Sequence, residues 1–112
     1  MTDIPNSNLS TDEKTQIYTN ILLPTLITDI SIYIVRENNL SNSFYNFSDF
    51  YLKQKVNNDD VKEMLRSKII KLLKDKGYVL AYVFNNTGLV ICTNTDELDK
   101  SVWKSNLDFN QI

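Results

Sequence analysis

One thiol, fourteen carboxylates and no imidazole make up the main acid–base and nucleophilic inventory of this 112-residue chain. Without histidine there is no Ser–His–Asp or Cys–His nucleophile system, and the side chain most often used as an acid or base near neutral pH is missing. With Cys92 as the single cysteine, a zinc site has almost no ligands to draw on. Gly77 and Gly88 are the only glycines, so a glycine-rich phosphate loop cannot be built. Cys92 would need a neighbouring cation or helix N-terminus to act as a nucleophile. Its neighbours Val90 and Ile91 predict a buried strand and a small core residue instead.

Asp96, Glu97 and Asp99 lack the length and alternation of a calcium loop. Acidic residues opening a helix account for them, and equally for Asp59 and Asp60. The expectation is a non-enzyme with no catalytic residue, no cofactor and no metal.

Two other groups of residues point to binding. Phe44, Tyr45, Phe47, Phe50 and Tyr51 form a dense aromatic run. Phe47, Phe50 and Tyr51 at helical spacing read most simply as core, while Phe44 and Tyr45 enter from a polar loop, where exposed aromatics serve as interface anchors. Phe44, Tyr45, Phe47 and Tyr51 are thus the candidate protein-interaction residues. The second group is Lys62, Arg66, Lys68, Lys71 and Lys74, set against Glu63 alone. A basic helix followed by a hairpin resembles, in outline only, the recognition helix and wing of winged-helix DNA binders. On that alternative Lys68, Lys71 and Lys74 would meet phosphates, Arg66 would suit a guanine edge, and residues 85–88 would form the wing tip. Against it stand a wing tip without cations and a net charge of −2.

The elements that must position these residues follow from periodicity and punctuation. Residues 1–9 are polar and aperiodic and predict a flexible tail; 10–112 form a single α+β domain. Ser10 to Glu13 fits a capping box, opening a helix over about 11–23 with Ile17 and Ile21 on one face and Pro24 ending or kinking it. Residues 25–37 read two ways: β-branched alternation argues a strand, and the stripe Leu23, Ile27, Ile30, Ile34 argues a helix, which is favoured. A short helix follows over about 48–56. Asn58 caps a helix over 59–76 that carries Val61, Leu65, Ile69, Leu72 and Leu73 inward and closes at Gly77. A β-hairpin, 78–84 and 89–94, comes next, apolar on both faces and so expected to have protein on each side. Thr95 or Asp96 caps a last helix, about 96–104.

A lone cysteine and the absence of a secretory signal fit a reducing, cytoplasmic setting. Residues 21–35 make a poor membrane span because they hold Pro24, Thr25, Thr28, Asp29 and Ser31. Asn, Ile and Lys abound, with one alanine (Ala81) and two arginines (Arg36, Arg66), as in an AT-rich genome such as that of a virus or phage. Ample apolar and aromatic material without catalytic residue types predicts a small accessory or regulatory protein. Its partner would be another protein or a second copy of itself, with nucleic acid as the alternative partner.

Overall fold

A computed structural model describes residues 10–112, so the tail expected over 1–9 lies outside the described residues. The chain is a small single α+β domain. Its elements are α1 (Thr11–Arg36), β1 (Tyr45–Asn46), α2 (Phe47–Gln54), α3 (Asp59–Asp75), β2 (Val79–Val83), β3 (Gly88–Cys92), α4 (Thr95–Asp99) and β4 (Asn110–Gln111), with 3₁₀ turns at Leu40–Asn42 and Val102–Ser105.

α1 opens as the sequence predicts. Ser10 Oγ accepts from the Glu13 amide at 3.1 Å, and the Ser10 amide donates to Glu13 Oε1 at 3.2 Å. It then runs through Pro24, which corrects both the break expected there and the strand alternative for 25–37. The physical reason is placement. Asn20 and Pro24 are exposed, so the carbonyl that loses its partner to proline faces water. The inward face differs as well. Thr15, Thr19, Leu26 and Ile30 are buried, whereas Ile21 is exposed and Ile17 half-buried. Thr15 meets the cost of burial by donating its hydroxyl to the Thr11 carbonyl at 3.0 Å.

α3 begins at Asn58, whose side chain accepts from the Val61 amide at 3.1 Å. It ends in a Schellman motif in which Tyr78 N donates to Leu73 O at 3.1 Å and Gly77 N to Lys74 O at 2.9 Å, with Gly77 at φ +96°. Tyr18 and Leu22 lie beside Val61 at the start of α3, and Ile30 and Ile34 beside Ile69 and Leu73 near its end. The two helices therefore run in the same direction, and residues 37–58 carry the chain back.

The sheet is antiparallel in the order β1-β3-β2-β4. Strand alternation divides its side chains between two cores. Leu80, Leu89 and Ile91 join α1, α2 and α3 on one face, while Ala81, Val83, Val90 and Cys92 pack with Leu98, Phe44, Trp103 and Phe109 on the other. The hairpin thus has protein on both sides, as its doubly apolar strands imply. Gly88 is required for close approach: a Cβ there would sit 2.7 Å from a Phe44 ring carbon and 2.8 Å from a Val83 methyl.

The last expected helix is divided. Asn94, not Thr95 or Asp96, caps α4 by accepting from the Glu97 amide at 2.9 Å. The helix stops at Asp99 because buried Ser101 turns its hydroxyl to the Ser41 carbonyl, and Val102 N donates to Asn42 Oδ1 at 3.1 Å. A tertiary contact thus outweighs local helix propensity.

Candidate interaction surface

Most of the aromatic run enters the core. The Tyr45 and Asn46 pair opposite Leu89 and Gly88 sends Phe44 to one face of the sheet and Tyr45 to the other. Asn46 then caps α2, accepting from Ser48 N at 2.9 Å, and Phe47 N donates to Thr87 O at 2.8 Å. Phe47 is fully buried, stacked on Tyr51 at 6.2 Å and edge-on to Tyr45 at 5.4 Å. Tyr45, Phe47 and Tyr51 are therefore core residues and not surface anchors, which corrects the interaction role expected for all three and leaves Phe44 as the one candidate of the four that is partly exposed. Phe44 is half-buried, its ring 5.0 Å from Phe84 and 5.3 Å from Trp103.

The basic side of α3 is partly committed to the fold. Arg66 Nη1 donates to Tyr51 Oη at 3.3 Å, and Tyr51 Oη donates to the Lys62 carbonyl at 3.0 Å. Lys62 Nζ lies 3.8 Å from Asp59 and 5.4 Å from the Tyr51 ring centre. Lys71 pairs with Asp75 at 3.4 Å. Lys68 and Lys74 have no ion pair among the described residues. The hairpin departs from a projecting wing: it forms the middle of the sheet, and its turn packs Phe84 on Phe44 and Trp103.

Two of the three acidic residues of α4 are likewise engaged. Glu97 accepts from the Thr93 amide at 3.2 Å, and Asp99 pairs with Lys104 at 2.7 Å. Among the described residues no three His, Cys, Asp or Glu side chains converge on a metal-sized site.

Burial also governs the titratable groups of the core. It pushes the Cys92 thiol up to about 11 and the Tyr33 phenol up to about 12. Burial also raises Tyr45, and the bond from its hydroxyl to Asp29 at 2.5 Å adds to the shift. All three are held neutral in the fold; the contributions of Cys92 and Tyr33 are complete below the unfolded values of 9.0 and 10.0 and are lost as pH rises through about 11 and about 12, while that of Tyr45 persists to higher pH. The urea midpoint is expected to fall between pH 9 and pH 12, with Cys92 resisting thiol reagents at pH 8 until the protein is unfolded. Rapid labelling of the folded protein at pH 8 would contradict this placement.

What remains is the outer side of α1. Between Lys14 and Arg36 the only charge is Asp29, which Tyr45 engages. Opposite the buried face, Tyr18, Ile21, Thr25, Thr28, Ile32 and Val35 are all exposed, Val35 at 85%. They recur at intervals of 3, 4, 3, 4 and 3 residues. Sequence reasoning missed this stripe because it divided the helix at Pro24 and grouped Ile21 with Ile17 on one face. The 3–4 spacing would have shown it, had 11–36 been taken as one helix. By length and composition alone α1 is long and apolar enough to cross a membrane, a criterion that the core helix of a soluble protein meets as well. No family model, curated protein or solved structure matches this chain.

Proposed function

We propose that this protein is a small, non-catalytic interaction module whose partner docks on the outer face of α1. The observation that supports this most is an exposed stripe of four large apolar residues and two threonines, free of charge over six consecutive contact positions, on the side of α1 opposite its buried residues. Exposed apolar side chains scattered singly need no explanation, but a continuous strip along one helix marks a binding surface. Nucleic acid has less support, because among the described residues Lys68 and Lys74 are the lysines of α3 without an ion pair, and the hairpin turn carries no cation.

The test separates folding from binding. Ile21→Glu with Val35→Glu places two charges on the stripe, where surface changes cost within about 0.5 kcal/mol. The double variant is expected to melt as the parent does, while cross-linking in extracts of the native source recovers a protein partner with the parent and not with the variant. A variant that unfolds would assign the face to the fold. A variant that keeps every cross-link would remove α1 from partner binding.

A further inference from the structure

Taking the outer face of α1 as an interaction surface, we infer that its occupant is the same face of a second copy, with the two helices antiparallel about a two-fold axis passing between Thr25 and Thr28. The inference rests on the order of residues within the stripe. In a symmetric dimer a residue that meets a given partner must itself be met in return. Reading outward from the midpoint, Thr28 faces Thr25, Ile32 faces Ile21, and Val35 faces Tyr18 of the other copy. The stripe therefore reads as two large apolar residues, two threonines and two large apolar residues, and it matches itself when reversed.

The spacing supports the same arrangement. Alternating steps of three and four place all six residues on the seam that two packed helices share. The threonines at the centre are short and polar, and they penalise registers that would set them against isoleucine, as a polar residue at a seam position does in coiled coils.

Direction follows from charge. Lys14 occupies the next seam position before Tyr18. Parallel pairing would bring Lys14 against Lys14, whereas antiparallel pairing carries it past the end of the opposing helix, to the level of Asn39. Antiparallel pairing also sets the helix dipoles in opposition. No charge falls within the seam to repel a second copy. From Tyr18 to Val35 the contact is about 25 Å long at 1.5 Å per residue, burying on the order of 1,000 Å², which lies at the threshold for a specific interface. The dimer is accordingly weak, with a midpoint on the order of tens of micromolar.

Two measurements test this on the full chain. Sedimentation velocity from 1 to 200 µM is expected to show a monomer passing into a dimer, and Ile21→Glu with Val35→Glu should hold it monomeric. Register is tested by thiol cross-linking under copper–phenanthroline. Ile21→Cys mixed with Ile32→Cys should form a disulfide dimer, and Ile21→Cys alone should not; the parent, whose Cys92 is buried, is the control. Cross-linking by Ile21→Cys alone would overturn the antiparallel register. A monomer at 200 µM with no cross-link in the mixture would overturn self-pairing altogether, as would a monomer that binds phosphatidylcholine vesicles through Ile21 and Val35. In that event, source-extract cross-links lost in the Glu variant would leave the interaction reading standing, and cross-links indifferent to it would remove both.

Discussion

Phe47→Ala is expected to lower the unfolding free energy by about 4 kcal/mol, the largest loss from any single side chain considered in this fold. Phe47 has no exposed surface and sits where three layers meet. Its amide donates to the hairpin turn at Thr87, its ring stacks on Tyr51, and Tyr45 abuts it edge-on. Truncation removes the transfer free energy of the ring and leaves a cavity that the surrounding aromatics cannot close, a combination that costs about 3–5 kcal/mol. A domain of this size has about 5–15 kcal/mol in all, so the variant would approach unfolding. Leu52→Ala, on the same helix but 78% exposed, should change stability by less than about 0.5 kcal/mol. Urea titration of both variants decides the matter. A loss under about 1 kcal/mol for Phe47→Ala would mean that α2 is not docked as described.

Pro24→Ala should act in the opposite direction, stabilising the protein by about 2 kcal/mol. An interior proline costs a helix about 3 kcal/mol relative to alanine, and the smaller unfolded-state entropy of proline returns about 0.4–1 kcal/mol of that. Pro24 is exposed, so replacing it sacrifices no core contact and restores the bond between residue 24 and the Asn20 carbonyl. A melting temperature raised by roughly 10 °C is the expected reading for a chain of this length. A destabilised variant would show that α1 is not one continuous helix. Together these substitutions probe the two features on which the architecture depends, a packed aromatic layer and an unbroken first helix.

Much of this was legible in the residues and some of it was not. α3 was readable from end to end because every signal agreed: an asparagine cap, acidic residues in the first turn, an apolar stripe at helical spacing, and a glycine at the one position that needs positive φ. The hairpin was readable for the same reason. α1 was read in two pieces because proline is the strongest local breaker. Whether its lost hydrogen bond can be tolerated depends on which side of the helix faces water, and that is a tertiary fact. Tyr45 was placed in a loop because a two-residue strand has no period to detect; its burial depends on pairing with Leu89, more than forty residues away. Ser101 broke the last helix through a bond to Ser41, across 60 residues of sequence. The 3–4 spacing of the outer stripe of α1 lay in the sequence, but which side of the helix is outward followed only from the burial of Thr15 and Thr19.

The sheet ends on each side in a strand of only two residues, Tyr45–Asn46 and Asn110–Gln111. Unpaired strand margins are the usual templates for runaway β-association, and proteins blunt them by keeping them short or covering them. One margin here turns at once into α2. The other holds just two pairs before Ile112 bonds back to Leu80. Neither outermost strand presents a long row of free amides and carbonyls, and margins this short disfavour the addition of an extended peptide. That confers resistance to fibre growth and favours the helical side as the place where specificity can evolve.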